Sequence, residues 1–274
     1  MVDEARLVER EYAVDGIGVR CLAPAPGSKT KAHPLLFVHG AMHGSWAWES
    51  WMSWFADEGW ECHALSFRQH PGSYAVPDDR YFSLKAMDYV EDVTTVVRSL
   101  GVSPVLIGHS MGSLIVQKVA ESGLASGMIL VCGLGPGQLG RLREPLPLSE
   151  GVMRSKEEVG QFFFNEIDAE ALSAYYEKLV PESPGVVNDC NGGGLHVDRS
   201  RVEIPALVIG GERDKVKLHA PEEIAQFYGA DLMMVLEGSH NFFMESPSLP
   251  TASRVKQWLL ETVEQSNGLR RDGS

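Results

Sequence analysis

Residues 104–114 read PVLIGHSMGSL, and this stretch restricts the possible fold of the chain more than any other. Pro104 opens an apolar run, residues 105–107, of the kind that forms a buried strand. Apolar residues then recur at the spacing of one helix face: Met111, Leu114, Ile115 and Val119. The stretch therefore predicts a strand, a sharp turn and a helix, with Ser110 at the turn.

The turn itself matches the pattern G-x-S-x-G, because Gly108 and Gly112 flank Ser110 at two residues on either side. Glycine at both positions removes side chains that would collide with the adjoining strand and helix. The serine then occupies a strained turn, at a cost of about 1–3 kcal/mol, with its hydroxyl clear of the backbone. Ser110 is therefore the predicted nucleophile.

The chain has 274 residues, 44% of them hydrophobic, which is enough for one α/β domain with a sizeable core. Its net charge of −13 argues against nucleic acid or an anionic membrane as a partner but indicates nothing about a substrate. The partner that we expect is a small-molecule substrate. The sequence leaves a homodimer open. Because the first residues lack the apolar core of a signal peptide, we expect a cytoplasmic protein.

Four cysteines lie far apart in the sequence with no C-x-x-C spacing: Cys21, Cys62, Cys132 and Cys190. This spacing indicates neither a zinc motif nor a disulfide framework. Buried free thiols are expected instead, and no metal site is predicted.

Apolar runs alternate with helical patterns along most of the chain, which predicts a mainly parallel sheet with helices on both faces. Residues 6–13 and 17–22 form an edge hairpin across Asp15-Gly16. Six further strands are predicted at 35–38, 62–67, 105–107, 128–131, 206–209 and 232–236. Helices are predicted after Gly44 and after Ser110, and near 85–100, 220–228 and 248–264.

Residues 139–200 interrupt this alternation, since about sixty residues without a clear strand separate the sixth strand from the next. Helices are expected near 155–165 and 169–180, and a connection of this length must be a helical insertion. We predict a lid over the carboxyl ends of the strands. The α/β core then comprises residues 1–138 and 201–265, and residues 266–274 form a flexible tail.

A serine hydroxyl needs a base, and the base needs an orienting carboxylate. Asp214 and His240 each follow a predicted strand and therefore meet Ser110 at the same edge of the sheet. Glu212 lies two residues from Asp214 and remains an alternative acid. The backbone N–H groups of Ala41 and Met111 are the predicted donors to a developing oxyanion.

These residues carry a resemblance to the α/β-hydrolase-fold serine hydrolases, and residues 38–48, VHGAMHGSWAW, resemble the methylesterase and hydroxynitrile lyase branch from plants. The resemblance implies the α/β-hydrolase fold, a Ser110–Asp214–His240 triad, an oxyanion hole at Ala41 and Met111, and no cofactor. The lyases of that branch carry Thr and Lys where this chain has Gly40 and Asn241, so cyanohydrin cleavage is disfavoured.

The expected reaction is hydrolysis of a small, largely apolar carboxylic ester through an acyl-enzyme. Six residues are predicted to contact substrate: His39, Trp46, Phe163, Tyr176, Phe242 and Phe243. The same triad also serves C–C bond hydrolases, lactonases and thioesterases, and a non-catalytic small-ligand receptor can keep it. The sequence alone does not choose among these.

Overall fold

The computed structural model describes residues 7–140, 143–246 and 248–264. Within them, eight strands form one sheet in the order β1-β2-β4-β3-β5-β6-β7-β8. The strands are β1 (Leu7–Val14), β2 (Ile17–Pro24), β3 (Leu35–Val38), β4 (Cys62–Leu65), β5 (Val105–His109), β6 (Gly127–Val131), β7 (Ala206–Gly211) and β8 (Asp231–Val235). Strands β3 to β8 pair in parallel, so the predicted mainly parallel sheet is confirmed.

The edge hairpin of β1 and β2 is antiparallel and joins the sheet by antiparallel pairing of β2 with β4. Asp15 and Gly16 both have positive φ angles, 49° and 82°, which is the backbone that a tight two-residue hairpin turn requires. Both strands extend further toward their carboxyl ends than the sequence predicts, while residue 6 lies outside the described residues.

The helices are α1 (Glu49–Asp57), α2 (Asp78–Tyr81), α3 (Ala86–Ser99), α4 (Met111–Ala120), α5 (Lys156–Phe163), α6 (Ala169–Tyr176), α7 (Pro184–Asn191), α8 (Pro221–Tyr228) and α9 (Ser248–Trp258). A π-helical turn, Leu259–Glu264, continues α9. None of these helices is both long and apolar enough to cross a membrane within the described residues.

Alternating side chains of the central strands contribute to two apolar cores, one on each face of the sheet. On β3, Leu36 and Val38 pack with residues of α3, α4 and α8, whereas Leu35 and Phe37 pack with residues of α1 and α9. Trp48 and Trp51, which follow Gly44 in the chain, belong to the second core and are completely buried. Helices therefore cover both faces, as predicted for this α/β fold.

The inserted segment (residues 139–200) separates β6 from β7 and contains α5, α6 and α7. Helices α5 and α6 lie within the two predicted ranges, but α7 was not predicted. Helix α7 approaches the chain before α3 very closely, because a Cβ on Gly185 would lie 2.3 Å from the carbonyl oxygen of Leu84. The division into core and lid stays a prediction, and the proposed tail, 266–274, lies outside the described residues.

We expect Leu106→Ala to lower the free energy of unfolding by about 2–5 kcal/mol, since Leu106 on β5 is 0% exposed and its removal leaves a cavity. Leu236→Ala is the matched control, because Leu236 is 73% exposed, and it should change stability by less than about 0.5 kcal/mol. Urea denaturation followed by tryptophan fluorescence measures both. Equal losses would contradict this assignment of the core.

Candidate active site

Ser110 occupies the turn between β5 and α4 with φ 50° and ψ −119°, a strained backbone for a residue with a side chain. Its N–H donates to the carbonyl oxygen of Val131 at 3.0 Å, which fixes the turn against β6. A Cβ on Gly108 would lie 2.6 Å from the Gly112 oxygen, and one on Gly112 would lie 2.3 Å from the His39 oxygen. The flanking glycines are therefore required by close backbone contacts.

His240 and Asp214 form a buried pair at the ends of β8 and β7. The Nδ1 atom of His240 lies 3.0 Å from each carboxylate oxygen of Asp214, and the residues are 3% and 7% exposed. Glu212 is exposed and instead accepts a hydrogen bond from the backbone N–H of Glu237. Asp214, not Glu212, is thus the carboxylate that contacts His240.

Asp214 is held as a carboxylate by its surroundings. Burial alone would raise its pKa, but the positive charge and hydrogen bond that His240 can supply lower it, and the Val216 N–H donates to Oδ1 at 2.8 Å. The net effect is a pKa below the ordinary value. The ionised carboxylate fixes the Nδ1–H tautomer of His240 and leaves Nε2 as the basic nitrogen.

Ser110 and His240 line one cavity of about 370 Å³, together with Ala41 and Met111. This volume lies within the range of small-molecule sites. The predicted nucleophile, base and both predicted backbone donors therefore surround the same space. Part of its wall comes from the inserted segment, including Met153, Arg154, Glu158, Phe163, Val187, Asn188 and Cys190.

The peptide between Gly40 and Ala41 is anchored on its carbonyl side. The Gly40 oxygen accepts hydrogen bonds from His39 Nδ1 at 2.8 Å and from the His43 N–H at 3.3 Å. Because a trans peptide directs its N–H opposite to its C=O, these bonds also fix the direction of the Ala41 N–H. Gly40 is needed here, since a Cβ would lie 2.7 Å from Nδ1 of His109.

The next peptide, between Ala41 and Met42, is anchored at both ends. The Met42 N–H donates to Oε2 of Glu182 at 3.1 Å, and the Ala41 oxygen accepts from Nδ1 of His43 at 2.6 Å. Met42 has a φ of 68°, a strained left-handed conformation for a methionine. Two buried side chains thus hold the loop that carries the Ala41 N–H.

His43 connects this loop to the inserted segment and to the loop after β8. The Tyr175 hydroxyl contacts Nε2 of His43, and Nδ2 of Asn241 donates to the same hydroxyl at 2.8 Å. Burial lowers the pKa of His43 to about 4, so the ring is neutral near pH 7. A neutral ring can donate through Nδ1 and accept through Nε2, as both contacts require.

Glu182, from the inserted segment, is completely buried and lines the cavity. Its carboxylate accepts from the Tyr89 hydroxyl at 2.5 Å and lies 3.3 Å from Nε2 of His70. Burial opposes charge on both groups, yet His70 holds the pKa of Glu182 below its usual value, and Glu182 raises the pKa of His70. We therefore treat them as a buried ion pair.

Of the six predicted substrate contacts, Phe163 alone is among the cavity-lining residues of the described chain, with its ring 5.7 Å from that of His240. His39 is buried, and its Nε2 accepts from the Phe67 N–H at 3.1 Å, so both ring nitrogens are used within the protein. The prediction that His39 contacts substrate is therefore not supported by this geometry.

The other four predicted contacts are not among the cavity-lining residues of the described chain. Phe243 stacks on Trp48 with ring centroids 4.5 Å apart, and Phe242 is completely buried in the same core. Trp46 stacks on His43, and the Tyr176 hydroxyl donates to the Arg154 carbonyl at 3.0 Å. These four aromatic residues pack against the protein around the site, and their contact with substrate stays a prediction.

Sequence reasoning missed the polar residues of the cavity wall, three of which are buried: His43, His109 and Glu182. His109 is a variable position of the G-x-S-x-G pattern, and its Nε2 donates to the His240 carbonyl oxygen at 3.1 Å. Glu182 is separated from Met42 by 140 positions, so no local pattern marks this contact.

The fold and this arrangement define an α/β hydrolase with a serine, histidine and aspartate at the carboxyl edge of its sheet. A family model described as the alpha/beta hydrolase family matches residues 35–254, and the chain belongs to that family. Among curated proteins, none matches the sequence.

Three solved structures of similar fold are each 17% identical to this chain. An aryl esterase described as putative, from Burkholderia cenocepacia, has a TM-score of 0.70 over 91% of this chain and 99% of its own. A methylesterase from Arabidopsis has a TM-score of 0.68 over 82% of this chain and 98% of its own. An N-acyl homoserine lactonase has a TM-score of 0.68 over 92% and 96%, respectively. At this identity, the likeness shows the fold.

We expect Tyr175→Phe to lower the free energy of unfolding by about 1–3 kcal/mol, because the buried partners His43 and Asn241 lose a hydrogen bond. Tyr176→Phe is the matched control: its hydroxyl makes one bond, to Arg154, in a half-buried position, so its loss should be smaller. Urea denaturation of both variants measures the difference. A larger loss in Tyr176→Phe would contradict the network.

Proposed function

We propose that the protein hydrolyses small carboxylic esters through an acyl-enzyme on Ser110. The observation that carries this proposal is the shared cavity, in which Ser110 and His240 meet the loops of Ala41 and Met111. Such an arrangement supplies a nucleophile, a base and two backbone donors to one reacting carbonyl group. The hydrolase fold, which the family match establishes, is compatible with this chemistry.

In the proposed reaction, His240 Nε2 takes the proton of Ser110 as the Ser110 oxygen attacks the ester carbonyl. The N–H groups of Ala41 and Met111 stabilise the resulting oxyanion. His240 then returns the proton to the leaving alcohol, which departs from the acyl-enzyme. A water molecule, activated by the same imidazole, releases the acid and regenerates Ser110. Asp214 orients His240 and stabilises its protonated form.

The substrate we propose is small and largely apolar around the reacting carbonyl. Apolar side chains line the cavity beside Ser110, including those of Met42, Leu134, Phe163 and Val216. A volume of about 370 Å³ limits the combined size of the acyl and alcohol groups. The substrate is thus a small molecule, and we retain a cytoplasmic site of action as part of this proposal.

Ser110→Ala tests the proposal directly. Wild-type protein should hydrolyse short p-nitrophenyl esters and be labelled by a fluorophosphonate, whereas Ser110→Ala should do neither, because the attacking oxygen is missing. Ser113→Ala, with its side chain buried behind the turn, is the matched control for labelling at a nearby serine. Labelling retained in Ser110→Ala would refute the assignment of the nucleophile.

Asp214→Asn should lower kcat by about 10⁴-fold, the effect reported for the equivalent change in a serine protease triad, because the amide favours the wrong tautomer of the histidine. Glu212→Gln should stay close to wild type, since Glu212 is exposed and bonded to the Glu237 N–H. Steady-state hydrolysis of one p-nitrophenyl ester compares the two variants. A large loss in Glu212→Gln alone would assign the acid to Glu212.

The same triad could also attack the carbonyl group of a lactone, a thioester or a β-diketone. An N-acyl homoserine lactonase is among the solved structures that share this fold. A panel of these compounds beside simple esters separates the reactions by kcat/KM. A ligand that binds saturably and leaves unchanged, with no acyl-enzyme by mass spectrometry, would instead identify a receptor.

Phe163 should influence which esters fit, because its side chain lines the cavity near His240. Phe163→Ala should change kcat/KM for short and bulky esters by unequal factors, in favour of the bulky ones. Tyr176→Ala should change both by the same factor, since Tyr176 is not among the residues that line the cavity. Unequal factors in Tyr176→Ala, with equal ones in Phe163→Ala, would reverse these roles.

A further inference from the structure

A second cluster, of side chains that can ligate a metal ion, lies on the hairpin side of the sheet, toward the amino-terminal end of β4. Cys21 on β2 stands opposite His63 on β4 in the antiparallel register, and Glu61 immediately precedes β4. One donor atom from each of the three residues lies within 4.8 Å of the other two. Because Ser110 follows the carboxyl end of β5, the cluster is at the opposite end of the strands from the active site.

Two of the three distances between the donor atoms are close to those of a tetrahedral zinc site. Oε1 of Glu61 lies 3.3 Å from Nε2 of His63 and 3.9 Å from Sγ of Cys21. Zinc bonds of about 2.0 Å to nitrogen or oxygen and about 2.3 Å to sulfur place such donors about 3.3 Å and 3.5 Å apart. A movement of a few tenths of an ångström by the Glu61 side chain would bring both distances to these values, and Nε2 of His63 lies within 4.8 Å of Sγ of Cys21.

Tyr12 orients the imidazole for this role. Its hydroxyl lies 3.0 Å from Nδ1 of His63, so that nitrogen can donate while Nε2 presents its lone pair toward Glu61. A ligating histidine characteristically bonds through its other nitrogen to such a partner. A cavity of about 490 Å³, lined by Tyr12, Glu61 and His63, gives access from solvent and room for a water ligand.

We propose that Cys21, Glu61 and His63 bind one zinc ion, with a water molecule as the fourth ligand. On binding, the Cys21 thiol releases its proton to solvent, and the thiolate and carboxylate balance the charge of the ion. Arg10 is the competing cation, because its guanidinium pairs with Oε1 of Glu61 at 2.5 Å. Its side chain is exposed and can leave that oxygen without losing burial.

Zinc at this position would connect the edge hairpin to the rest of the sheet, since Cys21 belongs to β2 and His63 to β4. An ion that binds only the folded chain raises the apparent stability by mass action. The melting temperature of the chelator-treated protein should therefore rise with added Zn²⁺. This effect is independent of Ser110 and of the proposed hydrolysis.

Isothermal titration of the chelator-treated full chain with ZnCl₂ tests the site. Wild type should bind one Zn²⁺, and Cys21→Ser, His63→Ala and Glu61→Gln should each lose that binding and the rise in melting temperature. Glu61 is half-exposed, so Glu61→Gln keeps the test valid if the buried substitutions unfold the chain. Tyr12→Phe should weaken binding by about 10- to 100-fold.

Cys62→Ser is the matched control, because Cys62 is the neighbouring buried cysteine and packs in the core on the other face of the sheet. It should bind Zn²⁺ as wild type does. Co²⁺ should give a thiolate charge-transfer absorption in wild type and Cys62→Ser, and none in Cys21→Ser.

A second group of three possible ligands lies at the active site: Cys132, Asp214 and His240. Binding of Zn²⁺ to this group is the alternative outcome of the titration. Zinc at Cys21 should leave fluorophosphonate labelling of Ser110 unchanged, whereas zinc on His240 would block it. The proposal is overturned if wild type binds no Zn²⁺, if binding survives Cys21→Ser and Glu61→Gln, or if bound Zn²⁺ blocks labelling. Failure of ester hydrolysis with zinc binding intact would overturn the proposed function alone.

Discussion

The geometry of the site depends on the close approach of two backbone turns, one after β3 and one between β5 and α4. Gly112 contacts the carbonyl of His39 where no side chain could fit, and Gly40 approaches the ring of His109 in the same way. This mutual packing places Ala41 and Met111 beside Ser110 in a single cavity. A side chain at either glycine would separate the turns, and Ala41 and Met111 would no longer meet beside Ser110.

Much of the fold was predictable because it is encoded by local patterns and one topological rule. The buried run at residues 35–38 and the G-x-S-x-G turn are short-range signals, and the structure places both where they were predicted. The carboxyl ends of parallel strands meet at one edge, so the proximity of Asp214 and His240 followed from their positions after β7 and β8. The choice between Asp214 and Glu212 needed the burial of each carboxylate, which the sequence does not display.

The cavity wall was predicted poorly because contacts distant in the sequence form it. Aromatic residues beside the catalytic positions suggested substrate contacts, but Phe242 and Phe243 fill the core beneath the site. Glu182, in contrast, lines the cavity but was not predicted to do so. A glutamate carboxylate ordinarily prefers solvent, whereas this one is buried against Tyr89 and His70. The spacing of the cysteines likewise gave no sign that Cys21 faces His63, because adjacent strands bring them together.

The bond from Met42 to Glu182 has a consequence for how such enzymes diversify. Glu182 belongs to the inserted segment, yet its carboxylate holds the loop that presents the Ala41 N–H. The inserted segment therefore cannot be exchanged independently of the core: a chimaera that received the corresponding segment of another hydrolase would lose the carboxylate that accepts from the Met42 N–H. A graft that preserves an acidic residue at position 182, in contact with His70 and Tyr89, would keep the loop after β3 supported in the same way.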